Sequence, residues 1–584
     1  MESVFAGYYS PLWERYHLLF MADGPGLVPA MEDILSYYED PGKDDSVRGI
    51  NLYAFSQEEI LAERLVTAVD HGGKAFLEAV VEDMKIHGVT ELAETFVGQA
   101  ELVKEAEIVS GYIGSLSEYE EAISEIEENC SIMEQQGRRL KNTYESLEKA
   151  LETGGLTEET GRELLEGARN CAAEVRNRTK ECYETILSEA EGLGERLEKE
   201  TEELEGQKGN VSSTSYGQME AELENLKEYT REDGNRRVAA DSEKELLEKC
   251  TEELMEGKVW EDGVASEAFR EMIQRETKAL QEFKEEGSGK KQKSALLDAV
   301  KDWKNNGILG LVVEDAERIS DQKLLEGSYP SEAMKEENSG ESATGLEKGA
   351  AVLYGISHFG RFGEEREDAA LAYEVEYILA GSESDRENLT RTVERLLAVR
   401  SGMNFLYLLT DGQKQAEAEL VAATLVGFTG IYPLVRFVKG ILLGAWAFAE
   451  AICDLRILFR GGQVPLIKTG RDWKLSLEGA AKADSYETNT EEKGMWDYKG
   501  YLCILLLMGN TEDQCFRMMD LIEADLRRKD HGFFMENCIA YALMEIKFRA
   551  EPRFFHFTFP GVFPKKGYLF EKTAAYGYYD SYGN

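Results

Sequence analysis

The feature that most constrains this chain is a ladder of apolar and small residues spaced four and three apart. It reads Tyr119, Ile123, Ile126, Cys130, Met133, Gly137, Leu140, Tyr144, Leu147, Leu151. A 4-3 repeat keeps one stripe of an α-helix facing a partner helix, and the positions between are mostly charged or polar. The spacing predicts a helix that pairs along its length. A second run, from about Glu158 to Leu204, carries Leu164, Ala168, Cys171, Val175, Cys182, Ile186, Leu193 and Leu197 at similar steps. Gly154-Gly155 lies between the two runs, where an antiparallel helical hairpin would turn. Limbs of roughly 35 residues would make a rod about 50 Å long at the helical rise.

The charge distribution supports a solvated arm. The chain holds 112 acidic against 66 basic residues in 584, a formal net charge of −46. The excess concentrates in the Glu-rich stretch from about 101 to 340, and the last third is more balanced and more apolar. Such a field repels nucleic-acid phosphates and anionic headgroups, so neither is expected as a direct partner. Eight cysteines without a C-x-x-C pair read as buried free thiols. Glu2, Glu14 and Arg15 interrupt the first twenty residues, which hold no secretory apolar core. The apolar stretches 420–435 and 440–449 are each too short for a bilayer and read as buried helices. Gly440 and Gly444 in the second are expected to form a close-packing seam inside a core.

The chain divides by composition into a mixed amino-terminal segment (1–100), an acidic helical arm (101–330), a polar linker (331–348) and a carboxy-terminal globular domain (349–584). The fold class is α+β, predominantly α. Alternation predicts strands at 50–55, 371–379, 464–468 and 473–477, and aromatic antiparallel strands at 534–559 and 568–579. Helical spacing is read over 57–87, 219–229, 241–254, 265–286, 385–409, 498–508 and 513–528.

Chemical motifs are sparse. Gly287-Ser288-Gly289-Lys290 lacks the earlier glycine and the following hydroxyl of a phosphate loop, and reads as an exposed loop. Gly355-Ile356-Ser357-His358-Phe359 places Phe359 where a nucleophile elbow needs glycine. The six histidines are scattered, and no local metal motif is present in the sequence. Glu450 and Asp454, one helical turn apart in an apolar run, are the candidate metal-binding or acid/base pair. The competing reading pairs them with Arg436, Lys439 or Arg456, because buried charges normally occur in pairs. No catalytic residue and no cofactor is assigned.

Several stretches resemble an uncharacterised Gram-positive bacterial family whose members look like TadE-type, Tad/Flp pilus-associated proteins. They are residues 1–20, 371–381 and 404–411, and most specifically 444–456 (Gly-Ala-Trp-Ala-Phe-Ala-Glu-Ala-Ile-Cys-Asp-Leu-Arg) with 462–468 (Gly-Gln-Val-Pro-Leu-Ile-Lys). Members of that family usually carry a membrane helix just before a segment like residues 1–20. The resemblance therefore implies a body on the outer face of the membrane, held by an anchor absent from the present sequence, with pilus or envelope proteins as partners. It carries no activity and no site residues. The expected function is a non-enzymatic, surface-exposed assembly component. A soluble cytoplasmic scaffold or chaperone-like protein is the alternative, and a cation-dependent enzyme built on Glu450 and Asp454 is the second.

Overall fold

The structure is a computed structural model. It describes residues 10–21, 24–39, 53–86, 89–152, 158–231, 234–256, 260–261, 264–265, 295–313, 319–324, 327–333, 343–426, 432–485, 496–552 and 568–577. Helices dominate. Their order is α1 (Ser10–Tyr16), α2 (Leu27–Glu39), α3 (Asp70–Ile86), α4 (Val89–Glu152), α5 (Glu158–Gly206), α6 (Ser213–Thr230), α7 (Asn235–Glu256) and α8 (Ala295–Asn306). Then come α9 (Gly345–His358), α10 (Glu374–Ala380), α11 (Asp385–Thr410), α12 (Gly412–Val426), α13 (Tyr432–Phe459), α14 (Tyr498–Met508) and α15 (Thr511–Arg527). One antiparallel sheet has the order β1 (Tyr53–Thr67), β2 (Ile539–Pro552), β3 (Tyr568–Gly577). The chain is thus predominantly α with a small β component.

The 4-3 ladder sits on α4, a helix of 64 residues, which packs against the 49-residue α5. The two run antiparallel: Ser115 meets Glu200, while Arg139 meets Glu174 and Thr143 meets Cys171. At about 1.5 Å per residue α4 is on the order of 95 Å long, nearly twice the expected limb. The extra length lies at its amino-terminal end, where Val103, Ala106 and Val109 are fully buried. On α5 the buried stripe is Ala168, Ala172, Val175, Thr179, Cys182, Ile186, Leu193 and Leu197. Leu164 is 40% exposed and Cys171 is only half-buried, so at that end Ala172 takes the buried place expected of Cys171, and the stripe starts at Ala168.

The buried stripe is not one continuous core. From Val103 to Met133 it joins the main cluster of the molecule, together with Cys182, Ile186, Leu193 and Leu197. Beyond it, Leu140, Tyr144 and Leu147 form a separate cluster with Ala168, Ala172 and Val175, and with Leu246, Leu247, Cys250 and Leu254 of α7. Gly137 and Thr179 stand at the break, where a missing side chain and a hydroxyl replace apolar bulk.

The base of the pair is built into the carboxy-terminal helices by close backbone approach. A Cβ on Gly402 of α11 would lie 1.9 Å from the Ala106 carbonyl oxygen, so only glycine allows the two helices to cross there. On α13, Gly444 faces the Ile113 side chain and Gly440 faces the Glu222 carboxylate. The expected close-packing seam is present, and what it packs against is α4 and α6.

Several expected strands are absent. Residues 371–379 lie mostly in α10, because the alternation came from Glu374 and Glu376, which are buried rather than solvent-facing. Residues 464–468 make a single bridge, Val464 to Trp496, and otherwise turn their carbonyls inward; 473–477 likewise form no strand. Conversely, 57–67 has helical spacing but forms most of β1, paired with β2 from Tyr53–Pro552 to Thr67–Ile539. Long-range pairing overrides local pattern here. Helix α3 follows through a left-handed turn at His71, Gly72 and Gly73, with φ of 54°, 68° and 73°. The aromatic strands at the carboxy-terminal end are observed as β2 and β3, registered from Tyr541–Gly577 to Ala550–Tyr568. Helices read at 219–229, 241–254, 385–409, 498–508 and 513–528 are present. The segment 266–294, including Gly287–Lys291, the glycines at 154 and 155, and most of the linker at 334–342 lie outside the described residues.

Candidate functional site

Glu450 and Asp454 do share a face of α13, and both are fully buried. Their partners are not Arg436, Lys439 or Arg456. Lys439 reaches Glu419 on α12, and Arg456 donates to the Ala483 carbonyl. The Lys468 ammonium, itself buried, sits between the two carboxylates, 2.5 Å from Glu450 Oε1 and 2.6 Å from Asp454 Oδ1. Arg400 of α11, fully buried, approaches Asp454 Oδ2 with Nη2 at 2.9 Å and Nε at 3.2 Å.

The remaining valences are filled by protein. Glu450 accepts from the backbone N–H groups of Lys474 and Leu475, each at 2.9 Å. Arg400 Nη1 donates to the carbonyls of Pro465 and Leu466 and to the Tyr501 hydroxyl, at 3.1, 2.9 and 3.1 Å. Asn404 accepts from Arg400 and donates to Asp454. Two carboxylates and two cations make a neutral set, the condition under which buried charge is tolerated. Burial alone would raise the Asp454 carboxyl, but Lys468 and Arg400 outweigh it and hold the group below the usual carboxylate range. A substrate or cation would have to displace Lys468. The inward carbonyls that satisfy Arg400 are also why 464–468 forms no strand.

A second network fastens the amino-terminal segment. Arg366 donates Nε and Nη2 to the two oxygens of Glu374, each at 2.8 Å, and Nη2 to Asp525 Oδ2 at 2.9 Å. The Tyr16 hydroxyl donates to the same Asp525 oxygen, and Arg15 lies 3.1 Å from it. Tyr16 accepts a bond on its carbonyl from Tyr354 of α9. Leu12, Leu18 and Phe20 are buried beside it. Burial pushes Glu374 up to about 7, against the opposing pull of Arg366. Burial likewise pushes Glu376 up to about 7, although its carboxylate accepts from the Tyr498 hydroxyl at 2.6 Å and the Phe362 N–H at 3.0 Å.

The stretches that carried the family resemblance converge on these two networks. Asn404, Glu450, Asp454 and Lys468 meet in the first, and Tyr16 and Glu374 in the second. What those stretches share is a buried set of paired charges. Arg400, Arg366 and Asp525 were missed, because Arg400 and Asp525 sit in ordinary-looking helices and Arg366 in the irregular segment between α9 and α10, and none carries a local cue to its partners.

Ser357 lies exposed within α9 and not on a strand-to-helix turn, so the elbow-like motif is a helix end. The structure also brings together two of the six histidines. His17, just after α1, and His358, the last residue of α9, flank Asp83 of α3. Burial lowers His358 below the ordinary imidazole range, opposed by the neighbouring Asp83.

Residues 286–550 match a family of unknown function (DUF5702). The match covers α8 to β2 and so contains Glu450, Asp454, Arg400 and Lys468, together with Arg366, Glu374 and Asp525; it stops short of α4 to α7. No curated protein matches, and no solved structure matches. Among the described residues, no helix is long and apolar enough to cross a membrane.

Proposed function

We propose that this protein is a non-enzymatic structural or assembly component, carried on the outer face of a bacterial membrane in a Tad/Flp pilus-like system. In this reading α4 and α5 form a coiled-coil arm whose far end contacts a protein partner. The observation that carries the reading is the character of that end. Leu164 and Leu165 are 40% and 38% exposed. Leu164 also lines a groove of about 580 Å³ shared with Thr143, Leu147 and Ala168. Apolar surface presented at the end of a rooted lever is suited to a partner.

Two further points support a structural role. Glu450 and Asp454, the residues best placed in sequence for chemistry, are neutralised by Lys468 and Arg400 and shielded from solvent. The segment resembling the membrane-proximal part of TadE-like proteins is tied by Tyr16 and Arg15 into the core, so a pull from that side would reach the body through buried bonds.

The test is membrane fractionation of the native-length gene product with external protease treatment of intact cells. Membrane-bound protein that is shaved from outside sustains the reading. Cytosolic, protected protein replaces it with the soluble scaffold, which would use the same arm to hold partners.

A further inference from the structure

We infer that His17, Asp83 and His358 form a binding site for one borderline divalent transition-metal ion, best matched by Zn²⁺, that clamps the amino-terminal segment to α3 and α9. The inference rests on the geometry of these side chains and is independent of the assembly role.

One ligand atom from each of the three side chains can be chosen so that all lie within 4.8 Å of one another. His17 Nδ1 stands 3.4 Å from Asp83 Oδ1, and His358 Nε2 stands 3.9 Å from Asp83 Oδ2. Metal–ligand bonds of about 2.0–2.2 Å in a tetrahedral zinc site place ligand atoms roughly 3.4 Å apart. The first contact already has that spacing, and the others need a small inward movement. His17 can supply it between the two imidazoles, because its side chain is 44% exposed, and the 3.9 Å between His358 and Asp83 closes by a slight turn of the Asp83 carboxylate, both side chains being held by the core at 11% and 5% exposed. The same exposure gives an ion its way in, and leaves room for water in a fourth position.

The hydrogen bonding around His358 orients it for ligation. Its Nδ1 lies 3.3 Å from the Tyr354 carbonyl, and its ring stacks on the Tyr354 ring with centroids 4.2 Å apart. A carbonyl only accepts, so Nδ1 carries the hydrogen, and Nε2, the nitrogen on the Asp83 side, is the one left for a metal. A metal-bound histidine typically donates its other ring nitrogen to such a carbonyl. His17 holds φ at 53°, a left-handed conformation that side-chain-bearing residues rarely adopt, and this directs the segment after α1 past Asp83. The nearby guanidinium of Arg366, which donates to the His358 carbonyl, is already engaged by Glu374 and Asp525. Two imidazoles and one carboxylate select zinc-like ions over the all-oxygen coordination that Mg²⁺ and Ca²⁺ prefer.

The experiment is titration of the EDTA-treated full chain with Zn²⁺ by calorimetry and with Co²⁺ by visible absorption. Parent protein is compared with His17→Ala and Asp83→Asn, each checked for parental helicity by circular dichroism. The expected result is one tight equivalent of Zn²⁺, visible ligand-field bands with Co²⁺, and at least a tenfold loss of affinity in each variant. Millimolar Mg²⁺ or Ca²⁺ should not compete. If Asp83→Asn misfolds, His17→Ala decides alone, because its half-exposed ring is not part of the packed core. Parent protein that takes up no Zn²⁺ below about 100 μM, on the order of a hundred thousand times weaker than a nanomolar structural zinc site, overturns the inference. So does uptake that both folded variants retain undiminished, which would place the ion on the acidic helices instead.

Discussion

At Ala106 and Ile113 helix α4 meets glycines of α11 and α13, whereas at Leu140 and Tyr144 it shares, among the described residues, a cluster with α5 and α7. The spacing of apolar residues is much the same at both levels, yet the consequences differ. At the base the stripe is one wall of the main core and shares it with the helices that hold the buried ion pairs. Past Gly137 and Thr179 it belongs to a small three-helix cluster of its own. A repeating pattern therefore says that a helix has a partner without saying how many. It also means that substitutions at equivalent ladder positions, Ile126 and Leu140, should have different reach, since Ile126 lies in the main cluster and Leu140 in the outer one.

The largest effect should come from the body. Lys468→Met leaves Glu450 and Asp454 buried without their shared cation, and breaking a buried pair in this way costs about 3–5 kcal/mol. Denaturant unfolding followed by tryptophan fluorescence, to which the buried Trp446 contributes, should show the loss, while the α4–α5 tip retains its helicity.

The pH dependence should also belong to the body. Because the folded-state pKa of Glu376 is raised to about 7, the folded chain binds a proton that the unfolded chain has already released at neutral pH. Its contribution is fully present below about pH 4.5 and is lost as pH rises through about 7, a change of roughly 3 kcal/mol. Glu374, with the same direction, adds to it. Stability measured between pH 5 and 8 should fall, and Glu376→Gln should flatten that slope.

Gly402→Ala probes the base directly. The new methyl would collide with the Ala106 carbonyl and force α4 away from α11, with a cost of about 2–3 kcal/mol by the usual scale of overpacking. The thermal transition of the whole body should move down. An unchanged transition would show that the base of the pair is not built into the core. The smallest effect should be Arg139→Ala, which removes an ion pair to Glu174 between side chains that are 51% and 63% exposed. Less than about 0.5 kcal/mol is expected from such a pair, and the melting temperature should not move measurably.

What the sequence made legible follows the same division. The paired helices were readable because a 4-3 stripe is a local signal, and so were α11, α14 and α15 with their clear helical periodicity. The same-face placement of Glu450 and Asp454 was readable from their spacing, and so was the need for cationic partners. Which cations answer was not: Arg400 and Lys468 arrive from other segments, and nothing local marks them. Residues 371–379 alternate polar and apolar like a strand with one wet face, yet Glu374 and Glu376 are buried, and their burial depends on Arg366, Gly360, Phe362 and Tyr498. The His17, Asp83 and His358 constellation was illegible for the same reason, since three distant segments create it.

The most direct test of the division between base and tip is hydrogen–deuterium exchange on the full chain with and without Leu140→Asp. A charge at that position disrupts the outer cluster of α4, α5 and α7. The account predicts fast exchange confined to the helices beyond Gly137 and Thr179, with α9 to α15 as protected as in the parent. Loss of protection throughout α9 to α15 would contradict it, and so would a tip whose exchange does not change.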